Sequence, residues 1–259
     1  MTAPSAEDFR ALARSSPWRW STLRFTARWS GPWVLFDPVR AWLRRPDRLR
    51  VETSGGALVQ VVRSGSGPQQ ALLTASGGVP GHLPSGPGDQ PRFRPDGLVA
   101  DRPPIWESSA DDPMFQSYSW VAMLDPLELA DGHPEREGPG VVVGEVSETE
   151  HGGRPAWQAV LSTTPGYEPR CACCPLLPSA DAAALDAIEA GGSRPRPDGY
   201  GYGTVFLVRL DVGTGVCVLT EQLDGTDLGR GHDLRIEAVD EPMADDLFAE
   251  PRRRSFGRR

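Results

Sequence analysis

Lysine is absent from this 259-residue chain: all 27 basic side chains are arginine. That absence reads as a coding bias toward GC-rich codons and carries no functional weight. Long apolar runs are missing as well. No segment reaches the roughly 18 apolar residues that a membrane-spanning helix requires. The opening residues, MTAPSAEDFRALARSSPW, hold no apolar stretch of the kind an export signal carries. The expectation is therefore a cytoplasmic protein. Histidine and cysteine are scarce, with four of each. His82, His133, His151 and His232 are scattered over predicted loops, and the chain has no G-x-S-x-G, H-E-x-x-H or P-loop segment. Nothing supplies a nucleophile with its base, so an enzyme is not expected.

What is present speaks for β-structure. Gly 29 and Pro 26 cluster between apolar runs, and an apolar fraction of 39% is enough for a real core. The net charge of −8 argues against a nucleic-acid binder, but it is unevenly spread. Residues 1–50 carry ten arginines against four acids, and residues 252–259 add five arginines, so the middle is strongly acidic. The C-terminal RRRSFGRR forms a basic tail, 252–259. It is either a dock for an acidic partner or an anionic membrane surface, or an unstructured end.

Along the chain, SAEDFRALARSS predicts a short helix, with Ser5 as cap and Asp8 three residues on. In STLRFTARW, Leu23, Phe25, Ala27 and Trp29 alternate with Thr22, Arg24, Thr26 and Arg28, giving a strand with one dry and one basic wet face. Strands follow near 39–44, 48–53, 57–63 and 69–75, joined by loops short enough to force antiparallel neighbours. Residues 76–104 are dense in Gly and Pro and read as a flexible loop. Asp112-Pro113 then predicts the start of a helix over DDPMFQSYSWVAML, and Asp125-Pro126 the start of a second, shorter one. Strands return near 140–149, 154–163, 203–211, 216–224 and 230–239. Between them lies a helix capped by Ser179 and ended by Gly191, inside a cysteine-containing insert, 164–200.

The segments AWLRRPDRLRVET, GALVQVV, MLDPLELADG, GRPAWQAVLST and LVRLDVGTGVCVLTEQLDGTDLGRGHDLRIEAVDEPMADDLFAEP together resemble the LolA-like superfamily. That superfamily includes outer-membrane lipoprotein carriers and the N-terminal domain of RseB-type regulators. The resemblance spans about residues 18–251 and implies a single domain over 1–251. The implied fold is a β-rich α+β one: a curved antiparallel sheet, an unclosed half-barrel, with helices covering the concave face. It further implies a non-catalytic protein that holds an apolar ligand, lipid or lipoprotein-like, or a partner protein's apolar segment. Such a hollow has more apolar area than its own side chains fill. Trp33, Phe36, Trp42, Trp106, Phe115, Tyr118 and Trp120 lie in or beside the segments assigned to it, as ligand-binding candidates or as plain core.

The sharpest local feature is GYEPRCACCPLLPS, with Cys171, Cys173 and Cys174 in four consecutive positions. Three thiolates offer a soft metal most of a site, and zinc wants four donors. The fourth would come from Cys217, His151 or His232. C-x-C-C is not the usual pair of C-x-x-C knuckles, and neighbouring Cys173 and Cys174 are expected to point apart. A disulfide from Cys217 to the cluster, and inert packing of small thiols, remain beside metal binding. The alternative function is accordingly a metal- or redox-sensing regulatory module, with zinc as its possible cofactor and none otherwise. GYGYGTVF runs into a strand and so presents no phosphate-binding helix end, and His151-Gly152-Gly153 fits a hairpin turn. Asp111-Asp112 and Asp245-Asp246 read as helix caps.

Overall fold

The computed structural model describes residues 3–31, 37–63, 90–103, 112–132 and 138–250. Ten strands form one antiparallel sheet, built from two meanders joined along a single seam. The first meander is β1 (Thr22–Ser30), β2 (Val39–Arg44), β3 (Arg48–Thr53) and β4 (Leu58–Arg63). The second runs through β7 (Val141–Val143), β8 (Ser147–His151), β9 (Arg154–Thr163), β10 (Phe206–Asp211), β11 (Cys217–Gln222) and β12 (Gly231–Val239). The order is β4-β3-β2-β1-β12-β11-β10-β9-β7, and β8 continues the β7 edge along β9. β4 and the β7–β8 edge do not pair, so the sheet stays open. A separate hairpin, β5 (Arg92–Phe93) with β6 (Val99–Asp101), lies within the segment expected to be a long loop.

The seam is the β1–β12 pair, in register from Leu23 opposite Val239 to Ser30 opposite Gly231, with a bulge at Arg24/Phe25. Alternation sends Leu23, Phe25 and Ala27 inward with Leu234 and Ile236, all buried. The other face carries arginines from β1 and β2 beside acids from β12. Arg28 meets Asp233 at 2.6 Å, and Arg40 meets Glu237 at 2.5 Å. The basic face expected of the first strands is thus matched by acids lying almost at the far end of the chain. At the other side of β12, Gly231 admits no side chain: a Cβ there would lie 1.8 Å from the Thr220 carbonyl oxygen.

Helix α1 (Ala6–Ser15) has the expected cap, with the Ser5 hydroxyl accepting from the Asp8 N–H and the Asp8 carboxylate accepting from the Ser5 N–H. It buries Phe9 and Leu12 against the sheet. Helix α2 (Tyr118–Leu124) lies beside it and buries Trp120, Val121, Met123 and Leu124. The two are tied where Ser16 Oγ donates to the Leu124 carbonyl at 2.5 Å. Trp120 packs on Phe25 at 5.1 Å between ring centroids, on Phe115 at 5.3 Å and on Trp29 at 6.4 Å. These side chains fill the inner face of the curved sheet among the described residues. No helix among them is long and apolar enough to cross a membrane.

Two helix starts differ from expectation, for one reason. Asp112 and Asp125 are not caps but ion-pair partners. Arg45 grips Asp112 through two bonds of 2.7 Å, while its guanidinium also lies 3.3 Å from the centre of the Trp20 ring. Residues 112–117 stay non-helical, and α2 begins only at Tyr118. Asp125 takes Arg102 and Arg170, and the chain after it makes only a 3-10 turn, Leu127–Leu129. Asp245 likewise pairs with Arg44. The expected strand at 69–75, Asp111, His82, His133 and the tail 252–259 lie outside the described residues.

His232 is buried within the seam, its Nδ1 accepting from the Thr220 hydroxyl and its Nε2–H donating to the Cys217 carbonyl, both at 2.9 Å. Burial pushes its pKa down to about 4 from 6.5, so folding favours the neutral ring. A depressed histidine pKa adds stability above about pH 6.5, and that stability is lost as pH falls through about 4. At the acid end the loss is about 3 kcal/mol. NMR titration of the imidazole should place its midpoint near 4; a midpoint near 6.5 contradicts the burial. Trp120→Ala should cost about 3–5 kcal/mol in urea denaturation.

Candidate functional site

The segment from Tyr167 to Leu177 contains the three clustered cysteines and is anchored on both sides of them. Its anchor is Glu128, on the 3-10 turn after α2 and 4% exposed. The Glu128 carboxylate accepts from Tyr167 Oη at 2.5 Å, from the Arg170 N–H at 2.9 Å and from the Leu176 N–H at 2.8 Å. Burial pushes this carboxyl above its usual range despite the three donors. Next to it, Arg170 Nη2 donates to Asp125 at 2.6 Å, and Arg102 Nη1 donates to the same carboxylate at 2.9 Å. Burial opposes the Asp125 charge, but the two guanidinium groups outweigh it and hold its pKa below the ordinary value. Removing one partner from such a buried set leaves an uncompensated charge, so the set fixes the loop in one position.

Between the anchors the backbone turns, with the Cys174 N–H donating to the Cys171 carbonyl at 3.1 Å. The turn brings all three sulfurs to one side. Cys171 Sγ lies 3.0 Å from Cys173 Sγ, Cys173 Sγ lies 3.8 Å from Cys174 Sγ, and all three lie within 4.8 Å of one another. The expectation that Cys173 and Cys174 diverge is corrected here, because the turn rotates both side chains to the same face. Cys173 is exposed, while Cys171 and Cys174 are half-buried. The Cys171 thiol is pushed down to about 5, chiefly by the hydrogen bond from Cys174 and further by one from Cys173. That same bond, with burial, pushes Cys174 up, and burial raises Cys173. One sulfur of the three therefore carries most of the anionic character.

Cys217 does not join them. It is fully buried, its thiol donates to the Leu219 carbonyl at 3.5 Å, and all four cysteines are free thiols. The strand parity of β11 sends it into the core, away from the cluster. His232 is committed within the seam, and His151 Nε2 lies 3.1 Å from the Leu234 carbonyl. Among the described residues no fourth metal donor stands beside the trio.

Two hollows border the cysteines. The larger, a cleft of about 550 Å³, lies between the cysteine loop, α3 (Ala180–Glu189) and the segment carrying Arg194, Arg196, Tyr200 and Tyr202. The smaller, about 200 Å³, lies on the other side and is lined by Trp29, Met123, Leu176 and His232 among others. Cys173 borders both.

Of the aromatic candidates, expected either to bind a ligand or to pack as core, the described ones divide between the core and the outer face. Phe115 and Trp120 are buried in the core, 2% and 1% exposed, and Tyr118 is half-buried at the start of α2. Trp42 does not face the hollow. Ala41 and Leu43 point inward, so parity puts Trp42 on the outer face, where Arg40 lies 5.4 Å from its ring centre. Trp33, Phe36 and Trp106 lie outside the described residues. Glu128, Arg170, Arg194 and Arg196 carry the site without having been singled out from sequence. Proximity to the cysteines in sequence was a signal for Arg170 alone.

No protein-family model matches the chain, and no curated protein matches it. Among solved structures, a crystal structure of MucB is similar over 95% of this chain and 63% of its own, with 12% identity and a TM-score of 0.34. The chain thus spans less than two thirds of that protein.

Glu128→Gln should lower stability by about 1–3 kcal/mol in urea denaturation, because one amide oxygen cannot accept from three converging donors. The same change should erase the preference for Cys171 in limited alkylation followed by mass spectrometry. An unchanged labelling pattern would show that Glu128 does not hold the trio together.

Proposed function

We propose that the protein is a non-catalytic binding protein whose site is the Cys171–Cys173–Cys174 loop and whose cargo is a single thiophilic metal ion. The observation that carries the reading is the convergence of three sulfurs on a loop anchored before and after them by Glu128. Sulfurs bound at about 2.3 Å to one ion lie about 4 Å apart. The spacings present, 3.0 and 3.8 Å with all three sulfurs within 4.8 Å of one another, come within about 1 Å of that value. Three soft donors without a fourth suit a monovalent soft ion such as Cu(I) in trigonal coordination better than structural zinc, which closes with four.

The reading taken from the superfamily resemblance shares the general role, binding without catalysis, and differs in the cargo. An apolar ligand would need room on the inner face. The packing of Trp120, Phe115, Phe9 and Leu12 there favours the thiol loop as the site.

Titration of reduced protein with Cu(I) against a chromophoric competing chelator should give one ion per chain and an ultraviolet thiolate-to-metal band. Cys171→Ser and Cys174→Ser should each weaken binding at least tenfold, and Cys217→Ser should leave it unchanged. Absence of binding, or equal loss in the Cys217 variant, would overturn the metal reading. Fluorescence gained by an apolar probe, and lost on filling substitutions in the hollow, would return the resemblance-based reading to first place.

A further inference from the structure

The larger cleft has a charge pattern that metal binding does not use. Three arginines line it, Arg194, Arg196 and Arg230, against one carboxylate in its wall, Asp186. Arg194 shares its charge with Asp186 at 2.7 Å, and Arg230 reaches Asp227 at 3.2 Å. Arg196 differs. It is exposed, and its contacts are with two tyrosine rings, with its guanidinium 4.9 Å from the centre of Tyr200 and 5.9 Å from that of Tyr202. Among the described residues it has no carboxylate partner.

The rings are themselves held in place. Tyr200 and Tyr202 meet edge to face at 5.1 Å, and Tyr200 Oη donates to Asp227 at 2.7 Å. An arginine positioned by ring faces rather than by an acid keeps its N–H fork for an incoming anion. The exposed Cys173 lines the same cleft. The volume, about 550 Å³, falls in the range of small-molecule sites, and alanines and prolines form part of the lining.

We propose that this cleft is a binding site for an anionic low-molecular-weight thiol or its disulfide, with a carboxylate on Arg196 and the sulfur against Cys173. The occupant is small, because the cleft holds only about 550 Å³. It is anionic, because the uncompensated charge is that of arginine. It bears sulfur, because an exposed thiol lines the same cleft. The inference does not depend on which metal, if any, the cysteines bind.

The test uses reduced, metal-free, full-length protein and two disulfide probes, the dianionic 5,5′-dithiobis(2-nitrobenzoate) and the neutral 4,4′-dithiodipyridine. In each reaction a cysteine thiolate attacks one probe sulfur, the probe S–S bond breaks, and the other half leaves as a thiolate or its thione, which is measured by absorbance. Arg196→Gln should slow the dianionic probe by about three- to tenfold and change the neutral probe by less than twofold. Arg92→Gln, on β5 and outside the cleft, should change neither. An S-methylated anionic tripeptide thiol, which cannot exchange, should protect wild type from both probes and protect Arg196→Gln less. Equal slowing of both probes by Arg196→Gln, no change with either, or absence of protection would overturn the proposal. Loss of one-ion Cu(I) binding with the probe selectivity intact would strike only the metal reading.

Discussion

The hydrogen-bonded seam between β1 and β12 is the constraint on which the rest depends. Each meander pairs strands that are neighbours in chain order, through short turns except where the cysteine loop and α3 separate β9 from β10. The seam alone joins residues about two hundred positions apart, and it sets three things at once. It puts the arginines of β1 and β2 beside the acids of β12, so that charges separated by the length of the chain lie in contact. It aligns the inner face over which α1 and α2 lie. It also fixes β11 and β12 behind the cysteine loop, where His232 and Thr220 border the smaller hollow. Exposed pairs of this kind contribute little each, so their role is to set register rather than to supply most of the stability.

The second level of organisation is a set of buried charges at the end of α2. Asp125 and Glu128 lie three residues apart and serve different clients. Asp125 takes two guanidinium groups, one from the strand hairpin side and one from the cysteine loop. Glu128 satisfies two backbone N–H groups and a phenol. The loop is therefore clamped by polar contacts in a place where desolvation makes misplacement costly. This is why four residues with no regular secondary structure hold three sulfurs within reach of one another. In the cleft Arg196 is arranged by a different device, two tyrosines that meet edge to face, which leaves its charge available to solvent.

The strands at 39–44, 48–53 and 154–163 were legible because alternation of apolar and polar residues is a local property with a period of two. The caps Ser5 and Ser179 were legible for the same reason: their donors are three residues away. Asp112 and Asp125 carried the same local signature and did something else. A carboxylate before proline caps a helix unless a guanidinium elsewhere competes for it, and Arg45 and Arg102 do compete. Trp42 was misplaced although its parity was readable from Val39, Ala41 and Leu43, because aromatic character was given more weight than alternation. The cysteine cluster was visible as composition, but its geometry was not. Whether neighbouring side chains converge depends on the backbone turn, and that turn is held by Glu128, more than forty residues earlier.

The amino-acid order by itself determined the antiparallel meanders, the two capped helices, the absence of an apolar span and the presence of three thiols in four positions. All of these follow from interactions between residues a few positions apart. Only the tertiary structure decided that the two meanders share one sheet, that the hollow is occupied by Trp120 and its neighbours, that the three sulfurs face one another while Cys217 is buried elsewhere, and that Arg196 meets rings instead of an acid. Each of those rests on which distant groups win the competition for a buried charge or a hydrogen bond, and that competition is settled only when the whole chain has closed around them.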